Sequence, residues 1–218
     1  MRNPGVKSAV ILISGRGSNM RALIEAGAGL EVRAVISNRP EAKGLAWARS
    51  KGIEARVLDH TGFATREAFD TSLGDLIASF APDLILCAGF MRVLSDAFTL
   101  RFPRRILNIH PSLLPAFPGL HTHRRALEAG VKLHGATVHV VTPSLDGGPI
   151  VVQAAVPVLA SDTEASLSER VLAQEHRIYP QAVRWFVEDR VEFAAGDVVQ
   201  VRGSGVSTDW MVAPRDCP

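Results

Sequence analysis

SAVILISGRGSN, residues 8–19, decides the fold. Its first half is a run of aliphatic residues without polar alternation, the pattern of a strand buried on both faces. Its second half is glycine-rich and leads into NMRALIEAG (19–27), where apolar residues recur at helical spacing. A buried strand, a tight turn and a helix in that order form the opening unit of a parallel α/β sheet.

The unit repeats outward along the chain. EVRAVIS (31–37), EARVLD (54–59) and DLILCAG (83–89) read as further strands, with EAKGLAWARSKG (41–52) and TREAFDTSLGDLIASF (65–80) as helices between them. Gly27, Gly29 and Gly52 supply left-handed helix stops, and Pro82 blocks continuation into the next strand. The fold class is therefore α/β, a doubly wound, mostly parallel sheet. After Ile109 the pattern changes to a loop rich in Pro and His (110–123), a short helix HRRALEAG (123–130), and two long strands, KLHGATVHVVT (132–142) and PIVVQAAVPVL (149–159). No linker precedes these strands, so they are expected to extend the same sheet in antiparallel fashion. DTEASLSERVLAQEHRIYPQAVRWFVEDR (162–190) opens on a capping sequence and reads as a long amphipathic helix that Pro180 must kink or restart. Residues 1–202 read as one domain, and 203–218, rich in Gly, Ser and Pro, as a flexible tail.

Composition bounds the function. The 218 residues are 47% hydrophobic and 21% charged, enough for one sizeable core. A net charge of +2 provides no surface built to neutralise a polyanion, which argues against nucleic acid as a partner. Cys87 lies in an apolar strand and Cys217 next to the C-terminus, so the two make neither a disulfide framework nor a zinc pattern. The apolar run AVILI is too short to span a membrane. These features point to a cytoplasmic protein.

Two stretches carry chemistry. In SGRGSN (14–19), Gly15 and Gly17 allow a tight turn at a helix N-terminus, whose free amides and dipole favour a phosphate. Ser18 and Asn19 add side-chain donors. Met20 stands where a dinucleotide fingerprint needs its third glycine, and no acidic residue closes the second strand, so a single phosphate ester fits better than NAD. A glycine-rich turn that binds nothing would have the same sequence. In NIHPSLLP (108–115), Asn108 and His110 project from one face of a strand, roughly 7 Å apart, and prolines 111 and 115 stiffen the segment beyond it. Donors fixed in advance around a developing charge lower a barrier more than donors that must reorganise. Asp146 lies in the turn PSLDGG (143–148); brought beside His110, its carboxylate would favour an imidazolium. An amide, a cationic His and an Asp without a Ser or Cys nucleophile point to direct acyl-type transfer.

Together with AGFMR (88–92), LNIHPSLLPAFPGLHTH (107–123), LDGGPI (145–150) and QEHRIYP (174–180), these motifs resemble the phosphoribosylglycinamide formyltransferases, folate-dependent enzymes of purine synthesis. The similarity runs from about Val6 to Phe186. It implies a Rossmann-like formyltransferase fold with a phosphate-binding half (6–104) and a catalytic and folate half (105–202). It implies that Gly17, Ser18 and Asn19 bind the phosphate of glycinamide ribonucleotide and that Glu175 contacts the ribose. The co-substrate implied is 10-formyltetrahydrofolate, held by Arg66, by Met91, Arg92, Val93 and Leu94, by Asn108, and by Thr142, Pro143, Ser144, Leu145 and Asp146. Asn108, His110 and Asp146 match the catalytic trio, and no metal is implied. Partners are then small molecules, with neither nucleic acid nor membrane, and the protein is a monomer or homodimer. Two residues depart from the family: Arg16 replaces a smaller polar residue and Pro143-Ser144 a more acidic pair.

Blander readings compete at several positions. His110, His121 and His123 make a permissible zinc set, but no Cys or carboxylate completes it, and His121 and His123 read better as pocket-lining donors. His134 and His139 read as satisfied sheet histidines, His60 as a surface loop residue, His176 as a solvated one, and Arg66, on the residues alone, as a surface charge. Methionyl-tRNA formyltransferase and formyltetrahydrofolate deformylase share parts of the pattern but carry additional domains. A phosphate sensor that had lost catalysis would be expected to lack one of the trio.

Overall fold

The computed structural model describes residues 6–205 and residue 213. Strands β1 (Ser8–Ile13), β2 (Glu31–Ser37), β3 (Ala55–Val57), β4 (Leu84–Cys87), β5 (Ile106–His110), β6 (Leu133–Val140) and β7 (Ile150–Pro157) form one sheet in the order β3-β2-β1-β4-β5-β6-β7. The first five run parallel; β6 pairs antiparallel with β5, and β7 with β6. This is the mostly parallel sheet with an antiparallel extension that the sequence predicts.

The missing polar alternation in β1 has a direct cause. Ala9, Ile11 and Ile13 pack into one core with Met20 and Leu23 of α1 (Ser18–Glu25), Leu45 of α2 (Lys43–Ser50) and Leu167, Val171 and Tyr179 of α6 (Glu164–Val187). Val10 and Leu12 face a second core built on Phe69, Leu73 and Ile77 of α3 (Arg66–Ser79) and Phe98 of α4 (Asp96–Arg101). Each fully buried aliphatic side chain contributes about 1.5–3 kcal/mol, so a polar residue on either face of β1 would be costly. Because β2 and β4 flank β1, successive crossovers leave in opposite directions and open a crevice beyond the carboxyl ends of β1 and β4.

The structure adds to the sequence reading in two places. Helix α6 runs 24 residues unbroken through Pro180, neither ending nor restarting there. The proline removes one intrahelical hydrogen bond, while Ile178, Tyr179, Ala182 and Val183 on the same stretch are all buried against the core; packing outweighs the lost bond. The short α4 and a separate hairpin, β8 (Val191–Phe193) with β9 (Val199–Val201), carry too few residues to show a period. The expected tail over 203–218 lies almost wholly outside the described residues.

Tyr179 is fully buried, with its hydroxyl on the carbonyls of Cys87 at 3.1 Å and Leu107 at 3.0 Å. It thus pins α6 across β4 and β5 one residue before Asn108. Tyr179→Phe should cost about 1 kcal/mol, a Tm drop of about 2–4 °C, and Tyr179→Ala about 3–5 kcal/mol. Thermal unfolding of both variants checks this; equal losses would mean that the hydroxyl contributes as much as the ring.

Candidate active site

The glycine-rich loop leaves β1 at the crevice. Gly17 caps α1 with φ 73°, a left-handed conformation that side chains rarely adopt, and a Cβ there would meet Met20 Cε at 2.9 Å. The loop rests on the start of α2: Gly44 N donates to Gly15 O at 3.0 Å, and a Cβ on Gly44 would lie 2.6 Å from Ile13 Cδ1. A side chain at Gly44 would therefore crowd both Ile13 and the loop, a close approach that no pattern in the sequence marks. Asn19 is buried and its Nδ2 donates to Glu175 Oε2 at 2.6 Å, joining α1 to α6. Burial pushes the Glu175 carboxyl above the ordinary range, against the opposing pull of the Asn19 bond. Asn19 Oδ1 is buried without a partner among the described residues, and Ser18 is half-buried beside it in the chain. A loop with free amides and an unpaired buried amide oxygen has capacity left for a polar ligand.

The second group forms around β5. Asn108 Nδ2 lies 3.2 Å from His139 Nε2. An amide nitrogen only donates, so this ring nitrogen accepts and the His139 proton sits on Nδ1, which faces Val140 O at 3.2 Å. Burial lowers the His139 pKa, with Asp146 opposing, and so favours the neutral ring that this geometry requires. His110 Nε2 donates to Phe117 O at 3.0 Å, leaving Nδ1 toward Asp146 Oδ2 at 3.5 Å. Asp146 Oδ1 lies 3.7 Å from His139, and Oδ2 accepts from Gly119 N at 2.8 Å. One carboxylate thus faces both histidines and holds the loop after β5.

Local backbone explains the turn chemistry. Asp146 adopts φ 49°, Gly147 N donates to Ser144 O, and a Cβ on Gly148 would fall 1.9 Å from Val140 O, so the turn closes directly onto β6 only because Gly148 lacks one. The loop after β5 is tied down by residues that the sequence reading does not single out. Thr137 Oγ1 accepts from Leu114 N and donates to Ser112 O, while Gln153 Nε2 donates to Leu114 O at 2.8 Å.

These groups line a cavity of about 510 Å³, a size suited to a drug-sized ligand. One wall is Met91–Leu94, after β4; the other is Thr142–Asp146, after β6; Asn108 and His110 on β5 lie between. Every residue expected on those two walls lines it, and Met91, Val93 and Leu145 are 50% or more exposed. Exposed apolar side chains gathered around one cavity mark a surface that a ligand covers. His121 and His123 also line it, with Glu164 at the start of α6. Arg66 does not: at the start of α3 it is paired with Glu67 at 3.3 Å. Gly17, Ser18, Asn19 and Glu175 form their own cluster beyond β1.

Other histidines differ from the sequence reading. His139 is a member of the site because β5 and β6 pair with Asn108 opposite His139, a register invisible in the sequence. His134 sits behind the cavity, its Nε2 3.2 Å from His123 Nδ1, and burial lowers its pKa to about 4. His60 is partly buried with Nδ1 on Asn38 O at 2.9 Å, and His176 has a buried Nε2 without a partner among the described residues. Among the described residues no group of three His, Cys, Asp or Glu side chains is arranged to hold a metal, and no helix is long and apolar enough to cross a membrane.

Comparison with known proteins places this geometry. The formyl transferase family profile matches residues 7–183. Over 187 residues the chain is 51% identical to phosphoribosylglycinamide formyltransferase of Escherichia coli, covering 84% of this chain and 88% of that one. It is 43% identical to the Haemophilus influenzae protein of the same name, over 85% and 90% of the two chains. Glycinamide ribonucleotide transformylase 1 of Symbiobacterium toebii superposes with a TM-score of 0.88 at 45% identity, over 91% of this chain and 95% of that one. With sheet, loop and cavity all inside the matched span, the chain belongs to the formyl transferase family.

Proposed function

We propose that the protein transfers the formyl group of 10-formyltetrahydrofolate to the amine of glycinamide ribonucleotide, giving formylglycinamide ribonucleotide and tetrahydrofolate in purine synthesis. The observation that carries this is the meeting of Asn108, His110 and Asp146 from two separate segments beside one cavity, with a phosphate-type loop at the neighbouring strand end. The names of the relatives agree with it.

In this reading the nucleotide phosphate takes the free amides around Gly17 and Ser18, and Asn19 and Glu175 hold the polar groups next to it. The folate lies along Met91–Leu94 and Thr142–Asp146, so that its formyl carbon reaches Asn108 and His110. The substrate amine attacks that carbon, and its carbonyl oxygen becomes an oxyanion. Asn108 Nδ2 has two N–H groups, of which His139 takes one, so the second is available to the oxyanion. The His110 Nε2–H reaches it by exchanging the Phe117 carbonyl for the more negative oxygen. The new carbon–nitrogen bond forms first and gives the tetrahedral oxyanion; its collapse re-forms the carbonyl and breaks the carbon–N10 bond, and one proton passes from the attacking nitrogen to N10. Asp146, facing His110 Nδ1, orients the ring and assists that transfer. His139, neutral and accepting from Asn108, fixes the amide so that its nitrogen and not its oxygen faces the reacting carbonyl.

A formyl-transfer assay with and without glycinamide ribonucleotide tests the reaction. Tetrahydrofolate should form only with the acceptor; formation at the same rate without it would make the protein a hydrolase. His110→Ala and Asn108→Ala should each lower kcat by about 10²–10³, as removal of an oxyanion donor does, and unchanged turnover would remove them from the mechanism. Gly17→Val, with a strained backbone and a Cβ against Met20, should chiefly raise the KM for the nucleotide. Glu175 adds a dependence on pH: its raised carboxyl pKa means that folding stability is full below the ordinary glutamate range and falls as pH rises through the folded value. Glu175→Gln has no such loss, so its Tm relative to the parent protein should climb from about pH 4 toward neutrality. A difference that stays flat with pH would contradict a costly buried carboxylate.

A further inference from the structure

Ser14 joins the two halves of the site. It is buried, lies one residue past β1, and donates its backbone N–H to Gly89 O at 3.1 Å. Its hydroxyl donates to Asn38 Oδ1 at 2.6 Å and accepts from Met91 N at 2.8 Å. The direction is fixed, because an amide oxygen only accepts and a backbone N–H only donates. Asn38, just past β2, is 2% exposed, and its own carbonyl is held by His60 Nδ1 at 2.9 Å. A buried chain of hydrogen bonds therefore runs from the end of β2, through the root of the glycine-rich loop, to the first residue of the cavity wall after β4.

That wall has few other supports. Arg92, Val93 and Leu94 make no backbone hydrogen bond among the described residues. The segment is tied at Met91 by Ser14, at Arg92 by the guanidinium lying 4.9 Å over the Phe69 ring, and at Ser95 by Asp70 Oδ2, 2.6 Å from its N–H. Of these ties, the Ser14 hydroxyl is the one that belongs to the opposite half of the site.

We propose that Ser14, oriented by Asn38, is a positioning residue for the folate wall, although it stands at the root of the nucleotide loop. The proposal rests on the functional reading above. Without the hydroxyl, Met91 N loses its acceptor, and the start of the wall, anchored further along by Arg92, by the buried Leu94 side chain and by Ser95, no longer presents its backbone groups to the co-substrate in one arrangement. The nucleotide loop keeps its seat on Gly44 and its link from Asn19 to Glu175, so the damage should be confined to the folate side.

Steady-state kinetics on the full chain test this, varying each substrate in turn for the parent protein and Ser14→Ala. The expected result is a folate KM raised about tenfold, the change that loss of one buried hydrogen bond produces, with kcat and the nucleotide KM within about threefold of the parent. Asn38→Ala should move the folate KM in the same direction, and Ser14→Ala with Asn38→Ala should add little to Ser14→Ala alone, because both act through one chain of bonds. Should Ser14→Ala fail to fold, Asn38→Ala decides on the same readout. An unchanged folate KM, or equal rises in both KM values, would overturn the proposal. A parent protein without transfer activity would instead overturn the functional reading.

Discussion

Burial of the parallel strands on both faces governs where this protein can do chemistry. Along β1, β4 and β5 nearly every side chain enters one of two apolar cores, where an unpaired polar group is expensive. Polar residues therefore collect where the strands end, and the strand order places three such ends side by side. The glycine-rich loop, the Met91–Leu94 wall and the Asn108–His110 pair are neighbours because β1, β4 and β5 are. Ser14, Asn108 and His110 all lie within three residues of an aliphatic stretch, and each is satisfied by a partner from the adjoining strand end or loop.

Asp146 organises the other side. A carboxylate with little exposure needs several partners, and it faces His110, His139 and the Gly119 amide, which come from β5, β6 and the loop after β5. The antiparallel extension serves this contact: the pairing of β6 with β5 sets His139 opposite Asn108, and the turn after β6 carries the carboxylate that faces both His139 and His110.

Most of this framework is legible in the sequence because it depends on local period. Unbroken apolar runs, helical repeats and glycine stops give the sheet and the first five strand positions, and a spacing of two gives Asn108 and His110 a common face. What is not legible depends on register or on length. His139 looks like an ordinary sheet histidine until β5 and β6 are paired with Asn108 opposite it. Thr137 and Gln153 act on a loop more than twenty residues earlier in the chain. Gly44 looks like a weak point in a helix until Gly15 and Gly17 lie against it. At Pro180 the sequence offers a kink or a restart, and the restart does not occur, because the packing that keeps α6 whole comes from the distant strands beneath it. Met91–Leu94 and Thr142–Asp146 owe their expectation to family resemblance, and Arg66, which shares that origin, lies away from the cavity.

Helix α6 carries Glu175 to the glycine-rich loop and, one turn later, Tyr179 to the β4–β5 carbonyls. Both contacts face the same side because four residues make slightly more than one turn. Adding or deleting a single residue between them would rotate one against the other by about 100°, so that no shift of the whole helix could restore both. The spacing of QEHRIY is thus fixed by geometry more firmly than its composition: side chains on the outer face touch neither contact, whereas a change in the count breaks one of them.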